Sequence, residues 1–178
     1  MATWIGLLRG INVGGHRKIK MAELRNALQE AGLSNVETYI QSGNLVFDSK
    51  LTSTKLENLV HQTIEKQWGF DVPTMVFRGS DLEKWKSASP FQEHDISLLH
   101  LTIFSKKPTA AAIQKLGKVD LKDDEFKIQG RCFYGYMPRG YSKTKLTNGL
   151  LESKLGVRAT TRNWKTVGRL LEMVEKRR

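Results

Sequence analysis

Two short apolar segments meet at a polar turn in Val36-Glu37-Thr38-Tyr39-Ile40-Gln41-Ser42-Gly43-Asn44-Leu45-Val46-Phe47. The turn, residues 41–44, contains a glycine and an asparagine, which tolerate the backbone angles that tight turns require. The segments on either side, 36–40 and 45–47, are short and rich in apolar and β-branched residues, as strands are. This stretch therefore predicts a β-hairpin.

Amphipathic helices are predicted on both sides of this hairpin. The first begins at Met21 and ends before Gly32, a residue that often follows a helix. The second covers residues 53–68. Their apolar side chains recur at helical spacing: Met21, Leu24, Ala27, Leu28 and Ala31 in one, and Leu56, Leu59, Val60 and Ile64 in the other. Apolar strands at 4–8 and 72–77 complete the order β-α-β-β-α-β, which predicts a ferredoxin-like subdomain over residues 1–79.

This topology places two polar loops at the same edge of the sheet. The second strand runs parallel to the first, so the hairpin turns at the edge where the first strand ends. Glycine-rich loops let backbone N–H groups approach an anion, and basic side chains add charge. The alternative is that these loops contain glycine only because turns require it. The candidate anion-binding residues are Arg9, Asn12, Gly14, Gly15, Arg17, Ser42, Gly43 and Asn44.

The rest of the chain, residues 80–178, predicts a second α+β subdomain. Strands are expected at 98–104, 125–129 and 131–137, and helices at 108–116 and 143–155. A last helix is expected to be capped by Thr161 and to run to about Lys176. This order repeats that of residues 1–79 but lacks a final strand, so the half is expected to be ferredoxin-like or incomplete. The whole chain is predicted to belong to the α+β class.

Positive charge is concentrated near the C-terminus. The chain has 29 Lys and Arg against 18 Asp and Glu, and residues 127–178 hold 13 of the basic and 3 of the acidic residues. Such asymmetry indicates a polyanionic or phosphorylated partner, although charged residues also serve solvation alone. Residues 176–178 are expected to form a frayed tail. The candidate basic surface comprises Arg139, Lys143, Lys145, Arg162, Asn163, Lys165 and Arg169.

Several kinds of site lack their sequence signatures. The single cysteine, Cys132, allows no internal disulfide, and the four histidines show no metal-ligand spacing. Neither a Walker loop nor a Gly-x-Ser-x-Gly elbow is present. No segment has the composition of a membrane span or a signal peptide. We therefore expect a soluble cytoplasmic protein without metal or cofactor, and with no membrane partner. The sequence favours a binding protein over an enzyme without deciding between them.

Three segments of the sequence resemble a known family. They are Leu8-Arg9-Gly10-Ile11-Asn12-Val13-Gly14-Gly15, Tyr39-Ile40-Gln41-Ser42-Gly43-Asn44 and Thr160-Thr161-Arg162-Asn163-Trp164-Lys165-Thr166-Val167. In this order they are similar to the signature blocks of the bacterial domain of unknown function 1697 family. The resemblance implies a bacterial cytosolic protein with an α+β, ferredoxin-like architecture, and it implies no activity.

Three functions remain open from the sequence. The first is binding of a phosphate-bearing ligand, of which nucleic acid is one form, at the glycine-rich loops and the basic block. The second is hydrolysis of a small phosphorylated substrate, by fold-level analogy with acylphosphatases. There Arg9 or Arg17 would bind the phosphate and Asn44 would orient a water. The third is a protein-interaction scaffold, which would present an exposed apolar patch.

Overall fold

The computed structural model describes all 178 residues and shows two compact units. The first unit comprises residues 1–84 and 169–178, and the second comprises residues 85–168. Each contains a four-stranded antiparallel sheet together with helices, so the predicted α+β class is confirmed. No helix combines the length and the apolar character that crossing a bilayer requires.

The first unit has the element order β-α-β-β-α-β that the sequence predicts. Its elements are β1 (Ala2–Leu8), α1 (Met21–Glu30), β2 (Ser34–Tyr39), β3 (Asn44–Ser49), α2 (Ser53–Trp68), β4 (Thr74–Arg78) and the start of α3 (Gly79–Ser87). The strands lie in the order β2-β3-β1-β4, and each neighbouring pair is antiparallel. The end of β1 therefore lies beside the beginnings of β3 and β4.

Helical periodicity explains how the core of the first unit forms. Residues three or four apart share one helix face, so the apolar stripes of α1 and α2 are buried together against the sheet. Burying one such side chain contributes about 1.5–3 kcal/mol to stability. The core cluster includes Leu24, Leu28, Leu45, Phe47, Leu56, Val60 and Ile64, all fully buried.

The second unit repeats this arrangement. Its elements are β5 (Leu99–Phe104), α4 (Ala110–Leu116), β6 (Glu125–Gln129), β7 (Cys132–Tyr136), α5 (Asn148–Leu155) and β8 (Ala159–Asn163), followed by α6 (Trp164–Glu175), whose residues from Arg169 onward belong to the first unit. The strand order is β6-β7-β5-β8, again antiparallel throughout. Its core contains Phe104, Phe133 and Leu151.

Strand β8 corrects the sequence-based picture of an incomplete second half. Thr161 does not cap a helix but lies in β8, where its hydroxyl is 2.7 Å from that of Thr102 on β5. Asn163 takes the capping position instead, because its Oδ1 accepts a hydrogen bond from the N–H of Thr166 (2.8 Å). The strand is short and polar, so it has no alternating apolar pattern from which it could be recognised.

The C-terminal residues pack with the first unit, although the sequence analysis assigned them to the second half. A Cβ added to Gly79 would lie 2.6 Å from Cγ1 of Val174, so the beginning of α3 and the end of α6 are in direct contact. The beginning of α3 and the end of α6 therefore belong to one compact unit. Only glycine at position 79 permits so close an approach of the two helices.

Residues 176–178 do not form a frayed tail, because Arg177 is held tightly by the sheet. Its side chain is 10% exposed, and its Nη2 donates to the carbonyl oxygens of Asn35 (2.6 Å) and Val46 (3.2 Å) and to the carboxylate of Glu37. Its Nη1 lies 3.5 Å from Oδ1 of Asp48. Arg177 thus ties the end of α6 to β2 and β3.

A β-bulge creates the site that Arg177 occupies. Between the pairs Ser34↔Asp48 and Glu37↔Val46, β2 has one more residue than β3, so the ladder is interrupted there. The bulge leaves carbonyl groups that need donors, and the guanidinium supplies them. Burial raises the pKa of Asp48, but hydrogen bonds from Asn35 and Thr3 and the charge of Arg177 outweigh it, so this pKa lies below its ordinary value.

Candidate functional site

The two predicted loops meet at one edge of the first sheet. The register pairs Leu7 with Asn44, and the N–H of Leu8 donates to the carbonyl of Gly43 over 2.8 Å. We call residues 9–20 and 40–44 the rim. All eight candidate anion-binding residues lie within it, so the structure brings them together as the strand directions require.

Asn12 joins the two parts of the rim. Its Nδ2 donates to the carbonyl oxygens of Ile19 (3.0 Å) and Gln41 (2.8 Å), and its Oδ1 accepts from the N–H of Ile19 (2.8 Å). A left-handed backbone, with φ of 53°, places the side chain for these bonds. The amide of Asn12 is therefore used to build the rim.

Residues 12–17 form a small hairpin that ends in a tight turn. The N–H of His16 donates to the carbonyl of Val13 over 3.0 Å. Both central residues, Gly14 and Gly15, have positive φ, 58° and 77°, which is the pattern of a type I′ turn. Both glycines are exposed, and their N–H groups have no partner within the protein. The tip of the hairpin therefore presents two adjacent backbone donors.

Basic side chains lie alongside this turn. A Cβ on Gly14 would lie 3.7 Å from Cδ2 of His16, and one on Gly15 would lie 4.0 Å from Cε of Lys18. Both side chains are exposed. An imidazole and an ammonium group next to free N–H donors favour an anion, because each can add charge or a hydrogen bond.

The structure adds an acidic residue that the sequence analysis missed. Asp71 lies in the segment before β4, which begins at the edge where β1 ends. A hydrogen bond from Nε2 of His61 (2.9 Å) lowers the pKa of Asp71, and the charge of Arg17 lowers it further.

The two arginines of the rim lie close to its backbone. Nη1 of Arg17 would lie 3.3 Å from a Cβ atom added to Gly10. Arg9 is half-buried, and its backbone N–H donates a hydrogen bond to the carbonyl oxygen of Pro73 (3.0 Å).

Asn44 and Ser42 stabilise the turn of the rim from within. Asn44 is fully buried, and its Nδ2 donates both to the carbonyl of Tyr39 (3.1 Å) and to Oγ of Ser42 (2.9 Å). An amide in this position does not face solvent. The geometry therefore does not place Asn44 to orient a water, as the acylphosphatase-like hypothesis requires.

The candidate basic surface is divided among several structural roles. Ion pairs join Arg139 to Asp123 (3.8 Å), Lys145 to Asp120 (3.8 Å) and Arg169 to Glu172 (2.6 Å). Burial lowers the pKa of Arg162 to about 10, and Asn163 caps α6. Lys143 and Lys165 are exposed. Several of the cations that make up the excess of positive charge are therefore already paired or buried.

Buried His100 gives the stability of the protein a pH dependence. Its ring stacks on Tyr141 with centroids 4.7 Å apart, and burial lowers its pKa although a hydrogen bond with the Leu98 backbone opposes this. The unfolded chain therefore binds a proton at this histidine more readily than the folded protein does. The contribution of neutral His100 to the free energy of unfolding is fully present above the ordinary histidine pKa of about 6.5, and it is lost as the pH decreases below that value.

We expect the substitution His100→Gln to reduce the loss of stability that occurs as the pH decreases. Urea unfolding between pH 7.5 and 5 should show a smaller decrease in the free energy of unfolding for the variant than for the parent. His16→Gln, which changes an exposed imidazole, should leave the decrease as it is. An identical pH dependence in parent and His100→Gln would contradict this account.

Comparisons with known proteins agree with the fold. The family model described as Protein of unknown function (DUF1697) matches residues 1–134. A solved structure, that of the conserved bacterial protein SP0830 from Streptococcus pneumoniae, is similar with a TM-score of 0.78 and 28% sequence identity, over 97% of this chain and 98% of that one. No curated protein matches the chain significantly. The chain therefore belongs to the DUF1697 family.

Proposed function

We propose that this protein binds a phosphate-bearing ligand at the tip of the rim hairpin. The observation that carries the proposal is the type I′ turn, in which the N–H groups of Gly14 and Gly15 are exposed and unpaired. His16 and Lys18 lie next to these donors. Backbone N–H donors and cations are the groups that bind phosphate oxygens.

The rim is preorganised for this role. The three hydrogen bonds of Asn12 and the bond from the N–H of His16 to the carbonyl of Val13 hold the donors in place before a ligand arrives. Binding therefore avoids much of the entropy that ordering a flexible loop would cost. The site suits one phosphate group better than a long polyanion, because many of the cations in residues 127–178 are already paired or buried.

The proposal predicts localised changes in an NMR titration. Inorganic phosphate added at low ionic strength to the isotopically labelled protein should shift the amide signals of Gly14 and Gly15 most strongly. Lys18→Gln should weaken this binding about fivefold, since a charged hydrogen bond to an anion contributes about 1 kcal/mol or more. Lys55→Gln, which removes an exposed charge from α2, serves as the matched control and should have no such effect.

Two results would contradict phosphate binding at the rim. One is a titration in which Gly14 and Gly15 do not shift while phosphate is raised to tens of millimolar. The other is an equal loss of affinity in Lys18→Gln and Lys55→Gln, because that would indicate a general effect of net charge.

A further inference from the structure

Two rim residues other than glycine or asparagine adopt a left-handed backbone. Ile40 has φ of 48° and Arg17 has φ of 47°, a left-handed conformation that is unfavourable for residues other than glycine, asparagine and aspartate. Ile40 is β-branched, for which this conformation is especially unfavourable. Its side chain is nevertheless 51% exposed, so burial in the core does not compensate for the strain. Strain of this kind is concentrated at functional sites.

A second aliphatic side chain is exposed on the same rim. Val13, at the start of the tight turn, is 63% exposed. Asn12 precedes Val13 and Gln41 follows Ile40. The hydrogen bond from Nδ2 of Asn12 to the carbonyl of Gln41 (2.8 Å) therefore links the two segments that contain these aliphatic residues. Two aliphatic groups are therefore exposed on the rim, and one of them, Val13, directly precedes the turn that presents the backbone donors.

Resting on the proposed function, we propose that the ligand is a phosphorylated polypeptide segment with aliphatic side chains beside the phosphorylated residue. The phosphate would accept hydrogen bonds from Gly14 and Gly15, and the aliphatic side chains would pack on Val13 and Ile40. The positive charges of Arg17 and Lys18 complement the negative charge of the phosphate. Single-stranded nucleic acid fits less well, since its bases stack on aromatic side chains and the rim contains no Phe, Tyr or Trp.

Fluorescence anisotropy with labelled peptide pools tests this inference on the full chain. Each pool has a central phosphoserine, flanked either by leucine, isoleucine and valine or by serine, glycine and glutamine. The aliphatic pool should bind at least about tenfold more tightly than the polar pool. Val13→Ser and Ile40→Asn should each remove this advantage, whereas Ile96→Ser, at another exposed aliphatic position, should preserve it.

The Ile40→Asn variant also separates loss of binding from loss of folding. Asparagine tolerates the left-handed conformation, so this variant should melt at a higher temperature than the parent while binding the aliphatic pool more weakly. A lower melting temperature would mean that Ile40 stabilises the fold, and it would overturn the assignment of this residue to binding.

The outcomes distinguish this inference from phosphate binding itself. If phosphate shifts Gly14 and Gly15 but the two pools bind equally, the polypeptide inference is wrong and phosphate binding stands. If neither phosphate nor any pool binds, both are wrong. Equal binding of pools with glutamate in place of phosphoserine would overturn the requirement for phosphate. Oligonucleotide binding that is lost in Val13→Ser would replace the polypeptide with nucleic acid.

Discussion

Replacing Gly43 by alanine is expected to destabilise the protein by about 3 kcal/mol. The new Cβ would lie 2.5 Å from Cβ of Leu8 and 3.0 Å from Cδ1 of Ile11, both of which are buried. Relieving such an overlap requires backbone movement, which costs about 1–3 kcal/mol, and the φ of 79° adds about 1–2 kcal/mol for any residue with a Cβ. Urea unfolding followed by tryptophan fluorescence measures the effect.

Gly69→Ala is the matched control for this prediction. Gly69 has a similar φ, 70°, but nothing lies within 4 Å of its Cβ position. The Gly69→Ala variant should therefore lose only the stability that the left-handed backbone costs a residue with a Cβ, about 1 kcal/mol. Equal losses in the two variants would mean that the overlap with Leu8 is relieved without cost, and that the turn is more loosely attached to β1 than the structure indicates.

Arg177→Ala is expected to lower the free energy of unfolding by a similar amount, about 3 kcal/mol. The substitution leaves the carbonyl groups of Asn35 and Val46 without this donor and removes the cation facing Glu37 and Asp48. The side chains of Arg177 and Asp48 are only 10% and 14% exposed, so removing the cation leaves the Asp48 carboxylate poorly solvated, whereas water can solvate Glu37, which is 58% exposed. The same denaturation experiment measures it.

The neighbouring arginine provides the comparison for Arg177. Arg178 pairs with Glu83 over 2.7 Å, but both side chains are well exposed. Arg178→Ala should therefore leave stability close to that of the parent, because exposed pairs contribute little. The account of the buried site would fail if Arg178→Ala destabilised the protein as much as Arg177→Ala.

Local patterns in the sequence were sufficient to predict most of the helices and strands of the first unit. The apolar stripes of α1 and α2 and the turn at 41–44 predict the order of elements through residue 78. The meeting of the two rim loops then follows from strand direction alone, without knowledge of any long-range contact. The exposed, glycine-rich tip at Gly14 and Gly15 was accessible to the same reasoning, because turn residues have local causes.

The remaining features depend on contacts between residues distant in sequence. Asn44 and Asn12 appear in the sequence as polar residues of two loops, and only the fold shows that their amides are used internally. Arg177 appears as one cation among three, and its role depends on a bulge more than a hundred residues earlier. Strand β8 is polar and was recognisable only through its pairing with β5. Such features have no local periodicity by which they could be found.

The position of Arg177 in the chain has a consequence for biosynthesis. Residues 1–84 leave the ribosome long before residue 177 is added, so the first sheet forms initially without the guanidinium that its bulge requires. Domains generally begin to fold during synthesis from the N-terminal end. The nascent first sheet is therefore expected to be less stable than the finished one, and it becomes fully stabilised only after the entire second sheet has been translated.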